Sequence, residues 1–144
     1  MTVALESDLQ SIMLVSIRPQ FVAQILNGSK TIELRRSRPL VRIGQRLAIY
    51  STLPDGAMVA TALVAGITDE PKHAFWGRHR LEIGVTKREF DDYFRDRESV
   101  VGIHLESVRQ LEFPISLAEM RNRGIVNPPQ QWIYLNAREW GELL

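Results

Sequence analysis

Residues 14–36 constrain this chain most. An apolar, β-branched stretch over 12–17 reads as a strand. Pro19 then opens a helix at the first position, where its missing N–H costs nothing. Val22, Ile25 and Leu26 supply the helical apolar stripe, and Asn27-Gly28 ends it. From Lys30 to Arg36 the pattern switches to strict alternation. Ile32 and Leu34 point one way, and Thr31, Glu33 and Arg35 the other. The spacing predicts a half-buried strand with a charged face.

The rest of the chain continues in short elements. Residues 37–44 read as a loop, 46–52 as a strand, Pro54-Asp55-Gly56 as a turn, and 57–67 as a long strand with Gly66 at a bulge. A short helix is expected around 74–76. Thr86-Lys87-Arg88-Glu89 is a capping box before the stripe Phe90, Tyr93, Phe94, which is assigned to the core. Residues 99–111 read as another long strand. Ser116-Leu117-Ala118-Glu119 is a second box, for a helix stopping near Gly124, and Asn136 caps a last turn bearing Trp140. Pro128 and Pro129 stiffen an extended tail. It can close a cleft with Gln130 and Trp132 or pin the C-terminal segment to the core, and the second reading is preferred. Helices that do not alternate strictly with strands argue against a doubly wound parallel sheet. The expected fold is α+β: a small, mostly antiparallel β-barrel of about five strands with helices packed over one mouth. One domain over 12–144 is expected, behind a flexible leader over 1–11.

Composition removes several function classes. Zero cysteines exclude disulfides, thiolate metal sites and a cysteine nucleophile, and suit a cytoplasmic location. No apolar run approaches the ~20 residues of a membrane helix, and no membrane partner is expected. There is no phosphate-binding Gly-rich loop and no dinucleotide turn, so no cofactor is expected. His73, His79 and His104 include no pair at metal-ligand spacing, so no metal is expected. No feature of the sequence sets an oligomeric state.

Charge is unevenly spread. Residues 1–54 carry seven basic and three acidic groups, whereas residues 55–144 carry eleven basic and fourteen acidic ones. Between Leu34 and Pro54 lie Arg35, Arg36, Arg38, Arg42 and Arg46 with no acid among them. Such a run attracts phosphate. On charge alone, with a net charge of +1, a solvated loop between two strands is the simpler explanation.

The segment Gly28-Ser29-Lys30-Thr31 with Glu33 and Arg35 resembles the signature of the ASCH domains, a branch of the PUA-like superfamily of small β-barrels. Gly44 through Tyr50 and the capped helix after Gly84 are similar to the family's next elements, so the resemblance spans roughly 12–111. It implies a pseudo-barrel with a cleft beside the signature helix and strand, and a role in RNA binding. Some members act on nucleic acid, as ribonucleases or by removing acetyl from acetylated cytidine. In the compact deacetylating members a Thr, the proposed nucleophile, stands where this chain has Glu33, and Lys30 is retained.

The residues also have their own chemistry. A Lys30–Glu33 pair in a cleft can move protons if burial shifts either pKa. A salt-bridge ladder on a strand face is the structural alternative. Arg35 can hold Glu33 or contact a phosphate at two points. Ser16 and Arg18 sit where the first helix begins and can help hold an anion, or Arg18 can simply cap a loop. Tyr50 can border the cleft and stack a base, although a half-buried core tyrosine is preferred. The expected function is a nucleic-acid-binding module using Ser16, Arg18, Lys30, Thr31, Glu33, Arg35, Arg36, Arg38, Arg42, Arg46 and Tyr50. Its expected partner is RNA or a nucleotide, ahead of DNA. The alternative is a hydrolase on RNA or a modified nucleoside, with Lys30 and Glu33 catalytic.

Overall fold

The structure is a computed structural model that describes residues 11–144. The expected leader, apart from Ser11, therefore lies outside the described residues, and Ser11 opens the first strand. In chain order the strands are β1 (Ser11–Ile17), β2 (Ile32–Arg35), β3 (Arg46–Ser51), β4 (Ala57–Pro71), β5 (Ser99–Ser116) and β6 (Trp132–Asn136). The helices are α1 (Pro19–Asn27), α2 (Lys72–His79), α3 (Lys87–Tyr93), α4 (Leu117–Asn122) and α5 (Ala137–Trp140). The six strands form one sheet in the order β2-β5-β4-β3-β1-β6. All of its ladders are antiparallel except β1 with β3. The α+β class and the mostly antiparallel sheet are as expected, with one strand more. None of the described helices is long and apolar enough to cross a membrane.

Two apolar layers flank the central strands. Met13, Val15, Leu47, Ile49, Ala60, Val64 and Ile103 face one side, where α1 adds Val22 and Ile25. Ile12, Leu14, Ala48, Tyr50 and Met58 face the other, covered by Met120, Ile125, Trp140 and Leu144. Both faces of β1 and β3 are thus buried, which is why their sequences run apolar without alternation. A third cluster joins Ile32 and Leu34 of β2 to Phe75 of α2, Ile83, and Phe90 and Phe94 of α3.

β4 and β5 pair over nearly their whole length, with three register shifts. One shift lies between Val64 and Gly66, at the expected bulge. Bulges bend long strands, and here they let two strands serve both ends of a curved sheet. Gly102 lies where β5 passes closest to its neighbours. A Cβ there would come within 2.9 Å of Ile32 and Phe75 side-chain atoms. Only a residue without a side chain allows that approach.

Among the described residues no ladder joins the two ends of the sheet, β2 and β1/β6. Side chains cross this seam instead. Arg35 Nη2 donates to Ser16 O at 3.0 Å and Nη1 to Gln131 O at 3.3 Å. Tyr134 of β6 both receives from Leu40 N and donates to Leu40 O, at 3.1 and 3.0 Å. The seam is where the candidate site lies.

Candidate nucleic-acid interface

A cleft of about 590 Å³ opens along the seam. Its floor is the charged face of β2. Its walls are the β1–α1 junction (Ser16, Ile17, Arg18, Phe21), α3 with its approach (Val85, Glu89, Phe90, Asp92, Tyr93), and Gln130 of the tail.

The floor corrects the expectation of a half-buried strand. All four β2 residues are buried, the charged ones included. Glu33 and Arg35 are each 7% exposed, and Lys30, just before the strand, is 2% exposed. Neighbouring segments cover this face, so the charges meet one another and not bulk water. Glu33 Oε2 accepts from Arg35 Nη2 at 2.7 Å, and Oε1 lies 3.5 Å from Lys30 Nζ. Lys30 Nζ also donates to Ile83 O at 2.7 Å and lies 5.3 Å from the Phe21 ring centre. Burial lowers the Lys30 pKa below its ordinary 10.5, the attraction of Glu33 opposes that shift, and Arg35 adds to it. Two cations share one carboxylate, so the floor carries a net positive charge. Arg35 Nε is buried without a hydrogen-bond partner among the described residues.

The segment behind Lys30 fixes this arrangement. Glu82 O accepts from Thr31 N and Ile32 N, at 2.9 and 3.1 Å. Gly84 has φ of +69°, and a Cβ there would collide with Gln24 Oε1 and come within 3.2 Å of Lys30 Cβ. Beyond it, the Thr86 hydroxyl accepts from Glu89 N, and the Glu89 carboxylate accepts from Thr86 N. The expected capping box therefore starts α3 and sets the opposite wall.

The anticipated residues separate. Ser16, Arg18, Lys30, Glu33 and Arg35 come together at the cleft. Ser16 Oγ donates to Pro129 O at 2.7 Å, so it also ties down the tail. Arg36 sits at the rim, its guanidinium carbon 6.0 Å from the Tyr93 ring centre. Arg38 lies 3.9 Å from Asp69 in an exposed ion pair, and Arg42 is exposed on the loop.

Neither Arg38 nor Arg42 lines the cleft, and three further residues lie away from it. Thr31 is exposed and engaged through its backbone. Arg46 donates to Leu144 O at 2.7 Å, because β3 begins beside the C-terminal segment. Tyr50 is 2% exposed within the second core layer, on the other face of β3.

Conversely, Tyr93 leaves the core to which its helical spacing assigned it. It is 43% exposed and lines the cleft. Desolvation raises its phenol pKa, while Arg35 opposes the rise. Its hydroxyl has no hydrogen-bond partner among the described residues. The tail is pinned to the core as preferred: β6 pairs with β1 and Trp132 packs against the first apolar layer, and of the two residues considered for closing the cleft Gln130 lines it and Trp132 does not.

Comparison with known proteins agrees with this architecture. A chain from Zymomonas mobilis subsp. mobilis, named ASCH domain-containing ribonuclease, is 28% identical over 131 residues, spanning 90% of this chain and 88% of that one. Crystal structures of the ASCH protein from Zymomonas mobilis superpose closely. One has a TM-score of 0.86 at 27% identity, covering 93% of this chain and 94% of that one. Human THYN1 protein, in complex with 5-methylcytosine-containing DNA, shares the fold at a TM-score of 0.56 and 12% identity, covering 92% and 95%. The model of the family described as a domain of unknown function (DUF365) matches residues 13–123. The chain therefore belongs to the DUF365 family and is an ASCH domain.

Proposed function

We propose that this chain is a nucleic-acid-binding module that takes RNA in preference to DNA, with an unpaired nucleotide entering the seam cleft. The observation that carries this reading is the buried floor, where Lys30 and Arg35 outnumber Glu33. A desolvated net positive charge favours an anionic or strongly hydrogen-bond-accepting ligand far more than the same charge in water. The cleft volume lies within the ~300–1,000 Å³ typical of small-ligand sites, enough for one nucleotide and not for a duplex. Among the described residues the longest helix, α1, has nine residues and packs on the core, so it is not presented to a DNA major groove. Unpaired RNA offers splayed bases instead. Arg36, Arg38 and Arg42 lie on the loop after β2, where flanking phosphates would run. A chain with no cysteine suits the reducing cytoplasm, where we place this activity.

Labelled single-stranded RNA, titrated across a salt series with wild type and Lys30→Ala, tests the reading. Saturable binding that weakens with salt, and weakens further in the variant, is expected. No binding at low salt would sink it.

One observation favours hydrolysis as a second reading. Burial lowers the Lys30 pKa, which increases the neutral amine available as a base, and the Zymomonas mobilis relative is named a ribonuclease. Glu33 is a poor nucleophile in this setting, because each of its oxygens faces a cation. Incubating labelled RNA with wild type and Lys30→Arg separates the readings. Cleavage lost in a variant that still binds would make Lys30 a base.

A further inference from the structure

We infer that Tyr93 on α3, with Arg36 above it, is the stacking face that receives the base in this cleft. The inference rests on the cleft being a nucleotide site, and it names the group that would grip the base. Phe21 is poorly suited, because Lys30 Nζ already lies 5.3 Å from its ring centre. Phe90 and Phe94 are buried and packed on one another, with ring centres 5.0 Å apart. Tyr93 alone among the cleft aromatics is substantially exposed. Its ring meets Phe94 edge-on at 4.8 Å, which fixes its plane.

The spacing above the ring fits this role. Arg36 Cζ stands 6.0 Å from the ring centre. A base between two planar groups needs two stacked layers, each about the 3.4 Å rise of nucleic acid. Arg36 is exposed, so it needs to move by only about an ångström to form an arginine–base–tyrosine sandwich. Guanidinium planes and tyrosine rings are the groups that stack unpaired bases.

Charge sets the orientation. The α3 lip carries Glu89 and an Asp92 already paired with Arg95, while Arg18 stands on the opposite wall. A phosphate backbone is drawn to Arg18 and to the arginines after β2, away from Glu89. One base enters toward Tyr93 while its phosphates stay outside. Among the described residues the Tyr93 hydroxyl is unbonded, so it can meet a polar base edge.

The test uses short labelled oligonucleotides with one base flanked by abasic residues, against an all-abasic control, read by anisotropy at low salt. Wild type should bind the one-base probe more tightly. Tyr93→Ala should weaken that probe by on the order of tenfold or more and leave the control unchanged. Tyr93→Leu, which keeps the apolar contact with Phe94, should behave like Tyr93→Ala, and Tyr93→Phe should retain most of the affinity. Arg36→Lys should lose part of the base-dependent gain while keeping its charge. Equal affinity for both probes, or Tyr93 variants that weaken both alike, would overturn the inference and leave nucleic-acid binding standing. Wild type binding neither probe would overturn both.

Discussion

Replacing Glu33 tests the electrostatics of the cleft floor most directly. Glu33→Gln keeps the shape and removes the carboxylate that Lys30 and Arg35 share. All three side chains are nearly inaccessible, so water cannot compensate. Breaking a buried pair from one side costs roughly 3–5 kcal/mol, because the remaining charge is left unpaired. Here two cations are left, and the amide oxygen of Gln can accept from only one of them well. At roughly 2–4 °C per kcal/mol for a domain near this size, the melting temperature should fall by about 10 °C. Lys30→Met should cost less, since the Glu33–Arg35 pair stays neutral and what is lost is the bond to Ile83 O and the longer 3.5 Å contact with Glu33. The Glu33→Gln loss should also shrink at alkaline pH. Glu33 is the group that opposes the burial-driven fall of the Lys30 pKa, so its removal lowers that pKa further. The unfolded chain then binds more protons than the native one between the lowered value and 10.5, and stability rises with pH across that window. Wild type follows the same sign over a narrower window. Urea denaturation at about pH 7 and about pH 9.5 measures both effects. A Glu33→Gln protein within about 1 kcal/mol of wild type, with no extra alkaline gain, would refute the picture of a desolvated triad, since exposed pairs carry only about that much.

Gly84→Ala should destabilise by about 1–2 kcal/mol or more, from a positive φ and a collision with Gln24, and should weaken nucleic-acid binding by displacing Lys30. Thr86→Ala should cost about 1 kcal/mol by removing the α3 cap, read by urea denaturation and by faster amide exchange at Glu89. Hydrogen bonds from Thr86 hold the Glu89 carboxyl below its ordinary 4.5. The cap's contribution is therefore present above 4.5 and lost as pH falls through the lowered value. An NMR titration of Glu89 should give a midpoint below 4.5, and Thr86→Ala, which keeps the backbone N–H and loses only the hydroxyl, should move it part of the way back up.

Local rules carried much of this architecture. The end of α1 at Asn27 and the box at Thr86 depend on neighbouring residues alone, and both fall where the sequence puts them. The bulge near Gly66 is another case, since a glycine inside a strand pattern has few other uses. Long-range pairing carried the remainder. β4 runs to Pro71 and β5 to Ser116, past the ends set by periodicity, because each extends along the other. Residues 132–136 read as an extended tail and become β6 because β1 offers them an edge. Tyr93 shows the limit at the site. The stripe Phe90, Tyr93, Phe94 has one helical period, but Tyr93 lies at its edge, on the side of α3 that Glu89 and Asp92 turn to the cleft. It therefore leaves the cluster that holds the other two, although Phe94 follows it in the chain.

The run of arginines after Leu34 shows why composition alone did not define an interface. In sequence it is one basic stretch, yet the fold gives it three tasks. Arg35 turns inward, where its carbonyl partners lie on β1 and just before β6, so it closes the seam as well as neutralising Glu33. Arg46 leaves in the opposite direction, and with Arg109 it binds Leu144 O. Arg36, Arg38 and Arg42 stay on the solvent side of a loop that Tyr134 fastens to β6 through Leu40. That bond and the Arg35 contacts hold the same two edges of the sheet. The cleft therefore lies where side chains, and no ladder among the described residues, bridge the two ends of the sheet. A backbone ladder at this point would fill the seam and leave no cleft, whereas a seam without Arg35 would leave a buried carboxylate with one partner fewer. Site and closure are consequently one structural problem, solved by the same arginine.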